Sequence, residues 1–211
     1  VMRQTNKAHQ KVIKDKWEER ANFIGHEISG KTAGVIGVGN IGSRVAEIFY
    51  YGFRCEVLGY DPYKTKEDLA VFGVKKVELN ELLERAEIIS ICASLNKDNY
   101  HMLSEQEFAR MKDHVYISNT ARGALIKEEA MVKALQDGKV AGFATDVLED
   151  EPGRSDHPYL TFDNVIMTPH TSAYTMECLR GMGDKCVKDC EMIAKGILPN
   201  RSVQPVSCYL K

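Results

Sequence analysis

Three residue types with catalytic potential stand in short loops of this sequence. Arg122 precedes a glycine after an apolar run, where a guanidinium can hold a carboxylate through two parallel hydrogen bonds. His170 follows Pro169 in a loop that the proline stiffens, and an imidazole there can transfer a proton near neutral pH. An acidic run, residues 149–151, would favour the imidazolium form if one of its carboxylates reached His170. Taken singly, the three features are typical of a surface arginine, a hydrogen-bonded polar histidine and a solvated turn.

A glycine-rich turn adds the chemistry of dinucleotide binding. Gly37, Gly39 and Gly42 form the pattern G-x-G-x-x-G between a short apolar run and an amphipathic segment. The first glycine permits a tight turn, the second lets a pyrophosphate approach the backbone, and the third lets helix and strand pack closely. Asp61 follows about 20 residues later at the end of a second apolar run, where a carboxylate accepts hydrogen bonds from ribose hydroxyls. The same carboxylate would repel a 2′-phosphate, so the sequence favours NAD over NADP.

From Lys31 onward, predicted strands alternate with predicted helices, and these elements must position the residues named above. Strands are predicted at about 33–37, 55–60, 88–92, 115–119, 140–145 and 164–167, and helices at about 41–51, 80–85, 104–111, 127–137 and 172–195. This alternation predicts an α/β fold with a doubly wound parallel sheet, in which ligands bind beyond the carboxyl ends of the strands. Polar or small residues follow the predicted strands there: Ala93, Ser94, Thr120, Ala121, Arg122, Asp146 and His170.

The segment ahead of the glycine turn has a helical pattern of its own. Apolar residues recur at near-helical spacing over about residues 5–22, which predicts a helix. Residues 1–30 are therefore expected to lead into a dinucleotide-binding domain at 31–198. The pattern is equally compatible with a helix that packs on this domain and with one that reaches another lobe or subunit.

Charge and cysteine usage argue against several classes of function. The formal net charge is −2, and 28 basic and 30 acidic residues are interspersed, which argues against a nucleic-acid-binding or membrane-binding surface. No apolar run approaches the roughly 20 residues that span a bilayer, and the start shows no signal pattern, so a cytoplasmic location is expected. The six cysteines form no C-x-x-C pair, so neither a metal site nor a disulfide framework is predicted.

Four motifs, in this order, carry a resemblance to a known family. The segments 37–42 (GVGNIG), 119–123 (NTARG), 146–152 (DVLEDEP) and 168–170 (TPH) resemble the D-isomer-specific 2-hydroxyacid dehydrogenases, over roughly residues 5–205. Two further segments, 99–102 (NYHM) and 170–175 (HTSAYT), look most like the D-lactate dehydrogenase branch. One position departs from the family pattern, because Ser94 stands where a proline is usual.

The resemblance implies a Rossmann-type NAD-binding domain and a role for each matching residue. Arg122 would hold the carboxylate and carbonyl of a small 2-oxo acid, His170 would be the acid/base, and Glu151 its partner. A homodimer is implied, and a metal is not. Cofactor contacts are implied at Gly37, Gly39, Asn40, Ile41, Gly42, Asp61, Ala93, Ser94, Asn99, Thr120, Ala121, Arg122, Asp146 and His170.

Other classes of protein share parts of this pattern. An NAD(H)-sensing, corepressor-like binding protein would have the same fold and motifs. A short-chain or 3-hydroxyacid dehydrogenase would share the glycine turn, but the order Arg122, Glu151, His170 argues against both. The N-terminal substrate lobe of the resembled family has no counterpart before the first predicted strand. We therefore expect a fragment that binds NAD but turns over weakly, with its tail, 199–211, directed toward that lobe.

Overall fold

A parallel β-sheet forms the centre of the computed structural model, which describes residues 1–199. Within them, seven strands lie in the order β3-β2-β1-β4-β5-β6-β7, and each neighbouring pair is parallel. The chain order reverses between β1 and β4, which opens a crevice at the carboxyl ends of these two strands. The predicted doubly wound α/β fold is confirmed. The strands are β1 (Thr32–Ile36), β2 (Glu56–Tyr60), β3 (Val74–Lys76), β4 (Ile88–Ile91), β5 (Val115–Asn119), β6 (Val140–Thr145) and β7 (Val165–Met167).

Helices follow most of the strands. A π-helical turn, Ile48–Gly52, extends the second helix, and 3-10 turns occur at Trp17–Phe23, Gly123–Leu125 and Pro158–Thr161. The described α-helices are α1 (Thr5–Ile13), α2 (Asn40–Glu47), α3 (Lys66–Ala70), α4 (Leu79–Arg85), α5 (Glu105–Arg110), α6 (Glu128–Gln136) and α7 (Met176–Ala194).

The structure departs from the sequence prediction in three places, one of which is that α7 begins at Met176 rather than at about residue 172. The helix predicted over about 5–22 ends at Ile13. Two residues later Asp15 adopts a left-handed φ of 55°, and the chain then continues in a 3-10 turn. The elements α3 and β3 were not predicted. They contain five and three residues, which is too short for a periodic pattern. A capping box between Thr65 and Asp68 fixes the start of α3.

Two apolar clusters enclose the sheet. Ile36 and Leu58 belong to one cluster, whereas the preceding residues on the same strands, Val35 and Val57, belong to the other. Successive side chains on a strand point to opposite faces, so the two clusters cover opposite faces of the sheet. Every residue of β4 is buried, as expected for a central strand covered on both sides.

The chain divides into two compact units. One comprises residues 1–170 and contains the whole sheet; the other begins at Thr171 and contains α7, whose first turn is capped by Thr175 Oγ1 accepting from the Cys178 N–H (3.0 Å). Over residues 1–199, no helix combines the length and the apolar character needed to cross a bilayer. The division into a lead-in, an NAD-binding domain and a tail stays a prediction, and residues 200–211 of that tail lie outside the described residues.

Candidate functional site

The glycine turn between β1 and α2 has the geometry of a dinucleotide cradle. Gly37 has a φ of +85°, and a Cβ on it would lie 2.5 Å from the Cα of Ala93. A Cβ on Gly42 would collide with the carbonyl oxygen of Gly37. A Cβ on Gly39 would meet no atom within 4 Å, so open space lies in front of this residue. The first and third glycines are therefore required by the fold, and the second leaves room for a pyrophosphate at the start of α2.

The carboxylate of Asp61 is tied to the backbone of this turn. Its Oδ2 accepts from the N–H of Val38 (2.9 Å), and its Oδ1 accepts from the N–H of Tyr63 (3.0 Å). The residue is only 8% exposed, so these bonds fix its position. Each carboxylate oxygen retains a free lone pair, with which Asp61 can accept a ribose hydroxyl.

The loop after β4 is closed by two asparagine side chains. Asn99 donates from Nδ2 to the carbonyl oxygen of Ser94 (2.8 Å) and accepts at Oδ1 from the N–H of Asn96 (2.7 Å). Asn96 in turn accepts at Oδ1 from the N–H of Asp98 (2.8 Å). These bonds determine the shape of the loop at the position where the family usually has a proline. They also engage the Asn99 amide within the loop.

One cavity brings the predicted cofactor residues of the first strands together. It has a volume of about 400 Å³ and lies at the reversal point of the sheet. Asn40 and Ile41 lie at the exposed start of α2, beside this cavity's glycines. The predicted residues that line it are Gly37, Gly39, Asp61, Ala93, Ser94 and Asn99.

His170 and Glu151 form a hydrogen-bonded pair beyond the ends of β6 and β7. His170 Nδ1 lies 2.8 Å from Glu151 Oε2, and Glu151 Oε1 accepts from the N–H of Leu148 (3.0 Å). The pKa of Glu151 is lowered, first by the bond to His170, then by the Leu148 N–H, and more weakly by the positive charge of Arg122. The His170 backbone has a left-handed φ of 54°, a conformation that is rare outside glycine and recurs at functional sites.

Asp146 lies behind this pair at the end of β6. It is 4% exposed and accepts a hydrogen bond from Thr168 Oγ1 (2.5 Å), and its N–H donates to the carbonyl oxygen of Asn119 (3.0 Å). Asp146, Glu151 and His170 line a second cavity of about 620 Å³. The structure therefore brings these three predicted residues together.

The turn that carries Arg122 is organised by a buried asparagine. Asn119 accepts at Oδ1 from the N–H of Ala121 (3.0 Å) and donates from Nδ2 to the carbonyl oxygen of Arg122 (2.9 Å). The Arg122 side chain is exposed and donates to the carbonyl oxygen of Ala121 (2.6 Å). Thr120 is exposed on the same turn. The turn is thus rigid, and the guanidinium lies at the surface.

Two residues of this region, Tyr100 and Glu149, were not predicted to act. Glu149 belongs to the acidic run that resembles a solvated turn, yet it accepts from the hydroxyl of Tyr100 (2.5 Å). Its other oxygen lies 2.8 Å from His101 Nε2. Sequence spacing gives no signal for this contact, because the two segments are 48 residues apart. Among residues 1–199, no group of three His, Cys, Asp or Glu side chains could hold a metal ion.

The parallel sheet, the glycine turn and the buried Asp61 carboxylate bonded to that turn are the features of a dinucleotide-binding α/β domain. The sequence model of the D-isomer specific 2-hydroxyacid dehydrogenase, NAD binding domain, matches residues 1–172. The chain belongs to this family, and its cofactor is NAD.

Three relatives show how far the similarity extends. The chain is 39% identical over 200 residues to D-3-phosphoglycerate dehydrogenase of Archaeoglobus fulgidus, a match that covers 92% of this chain and 37% of the relative. It is 40% identical over 197 residues to D-lactate dehydrogenase of Lactiplantibacillus plantarum, a match that covers 86% of this chain and 58% of the relative. The crystal structure of D-lactate dehydrogenase from Aquifex aeolicus with NAD and lactic acid superposes on this chain with a TM-score of 0.83 at 34% identity. The match covers 93% of this chain and 63% of that structure. The chain thus spans less than two thirds of each relative.

Proposed function

We propose that the whole protein is an NAD-dependent oxidoreductase that interconverts a small 2-oxo acid and a D-2-hydroxy acid. The observation that carries this proposal is the 2.8 Å hydrogen bond between His170 and Glu151, beyond the carboxyl ends of the same sheet that contains the glycine turn. A histidine held by a carboxylate is suited to general acid–base catalysis of proton transfer to and from an alkoxide. NAD, when bound, supplies the hydride acceptor, and NADH the hydride donor for C2 of the substrate.

Each side chain then has a defined task. Arg122 binds the substrate carboxylate with two hydrogen bonds and polarises the 2-oxo group. Glu151 occupies Nδ1 of His170, which leaves Nε2 to face the substrate. In the reductive direction, protonated His170 donates from Nε2 to the forming alkoxide oxygen. In the oxidative direction, neutral His170 accepts the hydroxyl proton at the same atom.

Within this class we propose a D-lactate-like substrate. The segments 99–102 and 170–175 and the 40% identical D-lactate dehydrogenase of Lactiplantibacillus plantarum support this choice. A homodimer and a cytoplasmic location stay predictions from the sequence.

The test is steady-state oxidation of NADH by the full-length protein with pyruvate, glyoxylate, hydroxypyruvate and a phosphorylated 2-oxo acid. We expect His170→Ala to lower kcat by about 10²- to 10⁴-fold, the usual contribution of proton transfer, while the Kd for NADH is retained. His114→Ala is the matched control, because His114 is an exposed histidine with a similar left-handed φ of 62°. Tight NADH binding without turnover of any 2-oxo acid would instead favour an NAD(H)-sensing binding protein.

The 211-residue chain itself should turn over slowly. The side chains of His170 and Glu151 are 52% and 38% exposed, so water competes for the substrate carboxylate and for the proton-transfer path. Assay of this chain beside a form extended at its N-terminus tests the point. Equal specific activity of the two forms would contradict it.

A further inference from the structure

Three loops at the carboxyl ends of the strands meet around Glu149, whose side chain bonds to one of the other two. Its Oε1 accepts from the hydroxyl of Tyr100 (2.5 Å), and its Oε2 lies 2.8 Å from His101 Nε2. The rings of Tyr100 and His101 stack with centroids 3.9 Å apart, so the two partners are ordered together. The Glu149 side chain is 27% exposed, and hydrogen bonds to a partly buried carboxylate are stronger than those of solvated surface pairs.

The third loop joins this contact through backbone atoms. The N–H of His101 donates to the carbonyl oxygen of Ala124 (2.8 Å), and His101 has a left-handed φ of 52°. A Cβ on Gly123 would collide with the backbone of Leu148 and Glu149. The loop of Arg122 and the loop of Glu149 therefore lie backbone against backbone, an approach that only glycine permits at position 123.

We propose that Glu149 is a positioning residue that holds the Glu151 loop against the loops of Asn99 and Arg122. The inference deepens the proposed function and depends on it, because the group being positioned is the carboxylate partner of His170. Glu151 Oε1 accepts from the N–H of Leu148 in its own loop, so the conformation of residues 148–151 determines where Glu151 meets His170. Removal of the Glu149 anchor releases the middle of that segment.

The charge of Glu149 and its positioning role have opposite effects on Glu151. Loss of a neighbouring negative charge by itself lowers the pKa of Glu151 further, because the carboxylate has one anionic neighbour fewer. Loss of positioning raises that pKa toward its ordinary value, because the bonds from His170 and Leu148 that lower it are weakened. Other charged groups of the region are Arg122, Glu129, Asp150 and Arg154.

The experiment is a carbon-13 NMR titration of the Glu151 carboxyl carbon in the 211-residue chain. Glu149→Met keeps an unbranched side chain without the carboxylate, and Tyr100→Phe removes one of its two bonds without changing the charge. Both variants should raise the pKa of Glu151, the second by less. Asp150→Asn is the matched control, since it removes a charge from the same loop, and Asp150 makes no hydrogen bond or ion pair among the described residues. It should leave the pKa of Glu151 unchanged or lower it.

In the full-length enzyme, Glu149→Met should lower kcat about tenfold, the scale of a small misplacement of a reacting group. A pKa of Glu151 that falls or stays constant in both Glu149→Met and Tyr100→Phe overturns the positioning role and leaves the proposed function intact. An ordinary pKa of Glu151 in the parent contradicts the His170–Glu151 pair, and with it both proposals. Tyr100→Phe keeps the test valid even if Glu149→Met does not fold.

Discussion

Substitutions at two glycines of the turn should affect cofactor binding and folding stability separately. Gly39→Ala places a methyl group where the structure has no atom within 4 Å, and the residue has an unstrained φ of −83°. Alanine is a poorer N-cap than glycine by up to about 1 kcal/mol, but it restricts the unfolded chain by a similar amount, about 0.4–1 kcal/mol. The free energy of unfolding should therefore change by less than about 1 kcal/mol.

The same methyl group would fill the open space that we expect a bound pyrophosphate to occupy. Displaced phosphates lose charge-assisted hydrogen bonds from the first N–H groups of α2, each worth about 1.5–3 kcal/mol. A total loss of about 3 kcal/mol raises the Kd for NADH roughly 100-fold. Gly42→Ala acts on the fold instead, because its methyl group meets the carbonyl oxygen of Gly37 and lies 3.3 Å from Cys92 Cβ. Overpacking against backbone should cost about 3 kcal/mol, or roughly 10 °C in Tm.

Calorimetric titration with NADH and thermal unfolding measure the two effects. Gly52→Ala is the control, because the nearest atom to its added Cβ is Ile48 Cγ2 at 3.9 Å, and it should match the parent in both assays. The reasoning would be refuted by a Gly39→Ala protein that binds NADH as tightly as the parent. It would also be refuted if Gly39→Ala lowered Tm as much as Gly42→Ala.

Three further predictions concern charge. Asp61→Asn removes the repulsion of a 2′-phosphate, so the ratio of NADH to NADPH affinity should fall at least about tenfold, a change of about 1.4 kcal/mol; an unchanged ratio by calorimetry would show that Asp61 does not set the preference. The lowered pKa of Glu151 keeps its carboxylate ionised below the ordinary range. The stabilisation that the ionised Glu151 carboxylate gives the folded state, through its bonds from His170 and Leu148, is therefore fully present above the ordinary carboxyl pKa and is lost as pH falls through the lowered one. Thermal unfolding against pH should show this loss in the parent and not in Glu151→Gln, whereas parallel curves would contradict it. If the proposed function holds, Glu151→Gln in the full-length protein should also make 2-oxo acid reduction decline at a lower pH than in the parent, since the imidazolium loses its carboxylate partner.

The local sequence was sufficient to predict structure where a short segment determines its own conformation. The glycine turn could be predicted because Gly37 and Gly42 each answer a steric requirement, at the neighbouring strand end or within a few residues, and Gly39 completes the spacing of the motif. Six of the strands could be predicted because apolar runs of this length between helical segments are typical of a parallel sheet. The short elements α3 and β3 could not be predicted, since five and three residues carry no measurable period.

The contacts between loops were decided only by the tertiary structure. From the sequence, a contact between the acidic run 149–151 and His170 was only one possibility. The family resemblance indicated Glu151 as the partner, and in the structure Glu151 Oε2 lies 2.8 Å from His170 Nδ1. Nothing local distinguishes Glu149 from Asp150, yet the first is bound by Tyr100 and His101 and the second is exposed. Parallel strands place the ends of distant segments at one edge of the sheet, and which side chains meet there depends on strand order and loop conformation. Sequence therefore determines which residues can act, and the sheet determines which of them act together.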